Sequence, residues 1–320
     1  MSAMNQPDIY QFTWSFPDAG YEVISTKGGP LNRPSEKEER FLVEPLGDDS
    51  WITRYPPLTT QTGLFREFAS LHPASEVEIV KFAGKYGWLG EPMQTLVHRA
   101  KRGEPGIVMS SLSKMFGERI TAWQAEVATM EHLVHLWDAA TKRDHATLKK
   151  FVTWEANGDG VWYEGILGQT VVARTGHKEE FFNNLKTGEL TRPILEFVRT
   201  KVTERLDRSG ISNRLLWDPS YRRQSLHVVP ESLVAALWLQ FAKAIEGDKE
   251  YRQCEQCNRW FEVAAEKRED AKFCQNACRS KAYRERQKTA RKWRTEGVTV
   301  REIARRLESD TKTITRWTKT

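Results

Sequence analysis

Residues 254–278 read CEQCNRWFEVAAEKREDAKFCQNAC and hold all four cysteines of the chain. The spacing is Cys254-x2-Cys257-x16-Cys274-x3-Cys278. A disulfide framework spreads its cysteines through a small secreted domain, whereas clustered pairs with short internal spacing point to a metal. A Cys-x2-Cys turn brings two thiolates to one ion because its backbone amides fold beneath the metal. A second pair on the first turn of a helix lies near enough to complete a tetrahedron. Four thiolates around Zn2+ make a closed structural site with no position for a catalytic water. Residues 259–263 fit a strand leaving the first pair, 271–273 a returning segment, and 279–284 a continuing helix. The expectation is a treble-clef-like finger over 250–286 with one structural Zn2+; redox thiols or another metal are the competing readings. Four thiolates and one Zn2+ carry a net −2, which the helix N-terminus and Arg279 offset.

Beyond the finger the chain ends in ARKWRTEGVTVREIARRLESDTKTITRWTKT, residues 290–320. Three helices are expected here. The first covers about 283–295 and stops at Glu296-Gly297, glycine being the usual helix stop. Thr299 caps the second, 300–307, with Glu302 three residues on as a capping box. Val300, Ile303, Ala304 and Leu307 form its inner stripe, and the small Ala304 lets a neighbouring helix cross closely. Glu308-Ser309 makes the turn, Asp310 caps the third helix, 311–317, and Ile314 and Trp317 face inward. This is the helix-turn-helix pattern, whose last helix enters the DNA major groove. Charge agrees. Of the formal net +6, residues 279–320 hold 14 basic against 5 acidic side chains, +9, and leave −3 for the rest. A near-neutral body joined to a basic tail is the footprint of a nucleic-acid-binding appendage, with a solvated helix face as the bland alternative.

Working back from there, a chain of 320 residues has room for about two domains. With 12 Trp, 14 Phe and 8 Tyr it is too aromatic to be disordered. It lacks the roughly 18 uninterrupted apolar residues of a membrane helix, and its first residues carry no basic or apolar signal region. A cytoplasmic, nucleoid-associated protein with no membrane role is expected. The class expected is α+β, mainly helical. Residues 1–62 form a β-rich N-terminal segment of short aromatic and β-branched runs between Gly/Pro/Asn/Asp turns. Residues 63–249 form a mainly helical body, 250–286 the finger, and 287–320 the helix-turn-helix. Within the body, helices are expected at 64–71, 76–86, 118–149, 179–185, 193–206 and 232–245. A hairpin is expected where Val152, Trp154, Val161 and Tyr163 flank Asn157-Gly158-Asp159-Gly160.

No catalytic constellation stands out, and an enzyme is not expected. His132 and His135 lie one helical turn apart, but without the HExxH pattern they read as structural. Gly28-Gly29-Pro30 and Gly103-Glu104-Pro105-Gly106 lack the Lys-Ser/Thr ending of a phosphate loop and read as turns. Trp123, Trp137, Trp154 and Trp162 read first as core, and second as the lining of a sensor pocket for a small-molecule effector.

Two resemblances attach to these motifs. Gly297-x-Thr299-Val300-x-Glu302-Ile303-Ala304-x-x-Leu307 with Thr313-Ile314-x-x-Trp317 resembles the helix-turn-helix of resolvase- and transposase-type DNA-binding modules. That resemblance implies that Thr311, Lys312, Thr313, Thr315 and Arg316 meet DNA, with Arg291, Lys292, Arg294, Arg305 and Arg306 near phosphates. Lys312 and Arg316 would suit guanine, and the threonines phosphate or a thymine methyl. The run Leu233–Ala242 in LVAALWLQFA, with Cys254-x2-Cys257-Asn-Arg-Trp260-Phe261 and Phe273-Cys274-x3-Cys278-Arg279, is similar to bacterial transcriptional regulators carrying an ABATE-like helical domain ahead of a CGNR-type zinc finger. Together they imply a sequence-specific DNA-binding regulator acting on double-stranded DNA as a homodimer. The alternatives are a transposase or recombinase component, and an accessory interaction protein of a defence or stress system.

Overall fold

The computed structural model describes residues 12–26, 39–44, 52–91, 94–98, 113–174, 185–218, 222–263 and 271–319. The chain divides into two compact units, Met1–Asp248 and Lys249–Thr320. Helices and strands are mixed in both, and every strand pairing among the described residues is antiparallel, as in the α+β class.

In the first unit, β1 (Trp14–Pro17), β2 (Glu22–Thr26), β3 (Glu39–Val43) and β4 (Ile52–Tyr55) come from the aromatic and β-branched runs of the N-terminal sequence. Strand β1 pairs with β4, while β2 and β3 join β5 (Gln94–His98) and β6 (Ser113–Arg119) in a sheet of order β2-β3-β6-β5. Phe41–Val43 thus sit opposite Gly117–Arg119, so the strands before residue 62 share a sheet with later chain. Helices α1 (Pro57–Thr60), α2 (Leu64–Ala69), α3 (Glu76–Tyr86) and α4 (Ile120–Thr141) follow the apolar periodicity. Ser75 caps α3 by accepting from the Glu78 N–H, and Gly87 ends it at φ 93°. The expected long helix from residue 118 proves to be strand β6 up to Arg119, then α4, then the short α5 (His145–Leu148). Strands β7 (Val152–Trp154) and β8 (Gly160–Gly165) form the expected hairpin, with Val152 opposite Tyr163 and Trp154 opposite Val161, and β9 (Gly168–Arg174) extends it. Helix α6 (Thr191–Arg208) leads to an unanticipated hairpin of β10 (Ile211–Asp218) and β11 (Arg223–Pro230), then to α7 (Leu233–Glu246). The helix expected at 179–185 lies almost wholly outside the described residues, as do both glycine-rich turns at 28–30 and 103–106.

Helix α7 is apolar nearly all round and correspondingly buried, with Trp238 and Phe241 inaccessible to solvent. Phe241 stacks on Phe65 at 5.3 Å and meets Trp137 edge-on at 5.6 Å. Burial of each such ring stabilises the unit by roughly 1.5–3 kcal/mol. The polar side chains Gln240 and Glu126 are paired inside this core. Gln240 accepts from the Phe65 N–H and donates to the carbonyls of Pro57 and Gln61. Glu126 accepts from Trp238 Nε1 and from Arg205. Trp123 and Trp137 are core residues, whereas Trp154 and Trp162 are half-buried. Their indole N–H groups bind the Glu189 carbonyl and the Glu155 carboxylate. His132 is buried with Nε2 2.6 Å from the Tyr163 hydroxyl and its ring edge-on to Phe151. Burial, then the neighbouring His135, lowers its pKa to about 4, so it sits neutral in the core.

In the second unit, β12 (Glu250–Gln253) pairs with β13 (Trp260–Val263) around the first cysteine pair. The partner of β13 is therefore the strand before Cys254 rather than the segment at 271–273. Helix α8 (Asn276–Thr295) then runs unbroken from the second cysteine pair into the tail. That is 20 residues, about 30 Å, and it joins the helix expected to continue through 279–284 to the one expected over about 283–295. Helices α9 (Val300–Arg306) and α10 (Thr311–Thr318) complete the unit.

Candidate metal centre and basic three-helix surface

Cys254 and Cys257 lie on the turn joining β12 to β13. Asn258 adopts φ 57°, a left-handed value that asparagine tolerates, and its N–H binds the Cys254 carbonyl at 2.9 Å. The Cys254 N–H closes the turn on the Arg259 carbonyl, also at 2.9 Å. The second pair is brought to this turn by two links. The Glu255 N–H bonds to the Lys272 carbonyl beside an ion pair of the same two residues, and Gln256 donates to Glu285 on α8. Cys274 precedes α8 and Cys278 sits in its first turn.

All four Sγ atoms lie within 4.8 Å of one another, the one such cluster found among the described residues, and no disulfide joins them. Cys257–Cys274 and Cys274–Cys278 are 3.7 and 3.6 Å apart. Four sulfurs placed tetrahedrally at about 2.3 Å from a zinc-sized ion stand about 3.8 Å from each other, so the set fits such an ion. Cys254 and Cys278 are buried, with Phe261 and, around them, Val263, Ala271 and Phe273 as the apolar shell. Burial opposes ionisation at Cys257 most strongly, but hydrogen bonds from the Arg259 backbone and side chain and from the neighbouring Cys254 and Cys274 together outweigh it and bring the thiol down to about 6. Burial and the neighbouring sulfurs push Cys274 up. A divalent cation would resolve this conflict by stabilising every thiolate at once, and with four protein ligands it would have no open coordination position, as in structural sites.

Helix α8 carries both Cys278 of the sulfur cluster and the core of the tail. Ala290 on its later turns packs with Ile303, Ala304, Ile314 and Trp317, bordered by Trp293, Val298, Val300 and Leu307. The turn chemistry is the local cause. Gly297 sits at φ 87°, and the Val298 N–H reaches back to the Trp293 carbonyl, the Schellman stop of α8. Thr299 caps α9 through the Glu302 N–H, and Asp310 caps α10 through the Thr313 N–H at 2.7 Å. The capping box is half realised, because the Glu302 carboxylate turns to Arg305 and Arg306 instead. Arg305, then Arg306, holds that carboxyl down at about 2.

Glu308 ends α9 at φ 46°, with the Ser309 N–H on the Ala304 carbonyl. A non-glycine residue there pays a steric penalty of about 1 kcal/mol or more, while glycine loses more freedom on folding. Glu308→Gly is expected to raise the unit's stability by about 0.5–1 kcal/mol. Thermal melting read through Trp293 and Trp317 checks this, and a lowered midpoint would contradict it.

The ten residues that the helix-turn-helix resemblance would set against DNA are not equivalent. Thr311, Lys312, Thr315 and Arg316 are exposed on α10, while Thr313 is half-buried. Lys312 and Arg316 stand one turn apart on one face and make no side-chain hydrogen bond or ion pair among the described residues. Arg305 and Arg306 are tied to Glu302, and Arg306 lies over the Trp293 ring at 5.5 Å. Lys292 is 3.8 Å from Glu296, and Arg294 reaches the Val298 carbonyl. Arg291 donates to the Trp317 carbonyl at 2.9 Å, so it serves the end of α10 as well as the surface charge. Three further contacts were missed in the sequence. Trp317 Nε1 donates to the Tyr283 hydroxyl at 2.9 Å, the two rings meet edge-on at 5.2 Å, and Arg286 donates to the Leu307 carbonyl. The seven-residue step from Tyr283 to Ala290, with Trp293 three further on, is the helical signal that marks this face.

Compared with protein-family models, with curated proteins and with solved structures, the chain matches none of them. Among the described residues no helix is long and apolar enough to cross a membrane.

Proposed function

We propose that the chain is a sequence-specific DNA-binding protein, a transcriptional regulator of the bacterial ABATE/CGNR-like kind. Residues 250–286 act as a treble-clef-like zinc finger and 287–320 as a helix-turn-helix. The observation that carries this reading is the pair Lys312 and Arg316, exposed one turn apart on the last helix of a tail with net charge +9. Cys254, Cys257, Cys274 and Cys278 would hold Zn2+, which supplies rigidity where α8 leaves the metal centre. Helix α10 would enter the major groove, with Lys312 and Arg316 at guanine edges and Thr311 and Thr315 beside them. A single small reading unit grips DNA weakly, so the body, residues 63–249, would dimerise the protein on double-stranded DNA and offer an effector its site. The protein would then work in the cytoplasm at the nucleoid.

Selecting bound fragments from genomic DNA with full-length protein tests this reading. On a selected duplex, Lys312→Ala with Arg316→Ala is expected to weaken binding about 30-fold or more, at roughly 1–3 kcal/mol per base contact. Wild-type affinity should fall steeply with salt, by about 0.9 in log–log slope per neutralised phosphate. A flat salt response, or unchanged binding after removal of residues 287–320, would refute it.

A further inference from the structure

The hairpin of β10 and β11 has a surface that the first unit leaves uncovered. Its eight residue pairs run in unbroken register from Ile211–Pro230 to Asp218–Arg223 and, among the described residues, belong to no larger sheet. The base is anchored, since His227, Val229 and Pro230 are buried and the Glu231 N–H bonds to the Gly210 carbonyl. Farther out, Leu215 and Leu226 face each other across the strands, 65% and 66% exposed. Trp217, two residues along the same face, is 55% exposed. A protein that needed these side chains for its own core would have covered them.

Two arguments choose the partner. Three such side chains present on the order of a few hundred Å2. A stable protein interface takes roughly 800 Å2 from each partner, so this face suits an auxiliary contact within a larger one. Charge then selects a polyanion. Residues 1–248 hold 29 basic and 32 acidic side chains, a net −3. The hairpin, 211–230, reverses this locally with Arg214, Arg222 and Arg223 against Asp218. Arg222 is exposed in the connecting turn, and Arg214 pairs at 3.6 Å with the equally exposed Glu231 and donates to the Ser212 hydroxyl at 3.2 Å. The major groove of duplex DNA admits a two-stranded ribbon, offers thymine methyls to apolar side chains, and is walled by phosphates.

We propose that the β10–β11 hairpin is a second contact with duplex DNA, its Leu215/Trp217/Leu226 face against base edges in the groove and Arg222 on a phosphate. This rests on the DNA-binding reading above and adds a second site within the body. The test uses full-length protein and one selected duplex. Trp217→Ala, and separately Leu215→Ser with Leu226→Ser, should each weaken binding about five- to thirty-fold without lowering the melting temperature. Arg222→Ala should reduce the log–log salt slope by about 0.9. Wild-type protein that binds no duplex would overturn both readings. Wild-type protein that binds while all three variants bind as tightly would overturn the hairpin contact alone. So would variants that change only the oligomeric state, for the face would then be a protein interface.

Discussion

On the function proposed above, treating full-length protein with a chelator at neutral pH is expected to unfold the region around the cysteines and abolish duplex binding together. The second unit spans only Lys249–Thr320. A core in a domain of this size rarely supplies more than about 3–5 kcal/mol, so a staple counts for much of its stability. Here the apolar shell of the metal centre is a handful of side chains, Phe261, Val263, Ala271 and Phe273 around the sulfurs. Structural zinc in such a setting is worth roughly 10–16 kcal/mol of apparent binding energy at pH 7, far more than that shell supplies. The consequence reaches the tail because α8 belongs to both halves, with Cys278 in its first turn and Ala290 in the core with Ile314 and Trp317. Unwinding its first turns also loosens Tyr283, which receives the Trp317 indole N–H. Cys278→Ser should reproduce most of the loss. Acid should release the ion, since protons compete for the thiolates that hold it. Zinc analysis should return close to one ion per chain, and far-UV circular dichroism and anisotropy on a selected duplex should fall in parallel as it is removed. A chelated protein with four titratable thiols, unchanged helix content and unchanged binding would defeat the expectation.

What could be read in the sequence was local. The Cys-x2-Cys and Cys-x3-Cys pairs needed only short-range geometry to meet, and their sulfurs do meet. Caps and stops are local too: Thr299, Asp310 and Gly297 each act within three or four residues of themselves. What was not legible was pairing at long range. Nothing in the residues of β3 announces that β6, some seventy positions on, will lie beside it. Residue 118 was read as helix because Gly117 stands just before it as a break, whereas strand β6 runs on through Gly117 to Arg119. The β10–β11 hairpin escaped because apolar residues fall on both of its faces, Leu215 and Trp217 on one and Leu216 on the other, so alternation does not show. The missing half of the capping box has a competitive cause. Glu302 is within reach of two guanidinium groups one turn away, and hydrogen bonds in which both partners are ionised add ion-pair attraction that a neutral backbone N–H lacks.

Glu118→Ala is expected to destabilise the first unit by about 3 kcal/mol or more, because it strands four donors at once. The carboxylate is fully buried. Its Oε1 accepts from the N–H groups of Gly90 and Glu91 at 2.7 and 2.9 Å, and its Oε2 from the Leu89 N–H at 3.1 Å and Trp123 Nε1 at 2.7 Å. One side chain thus ties β6 to α4 and to the loop after α3. The same loop receives the Val234 N–H on the Leu89 carbonyl, and Gly90 lies so close to Ser232 that a Cβ would come within 2.4 Å of its side chain. Losing Glu118 therefore frees the loop that seats the start of α7. Glu118→Gln should be milder, since its carbonyl keeps two acceptor positions, but its NH2 points a donor at donors. Titration supplies an independent signature. Burial raises the carboxyl from its ordinary 4.5 to about 7, against the pull of the four donors. Between those values the folded chain binds more protons at this group than the unfolded chain, so its contribution to stability falls as pH rises from 4.5 to about 7 and is level on either side. Denaturant melts of wild-type protein and the Gln variant across pH 4.5–8 should therefore differ in slope within that window and run parallel above it. If the Ala variant stays within about 1 kcal/mol of wild type, water has taken the place of the carboxylate and the loop is held by other contacts.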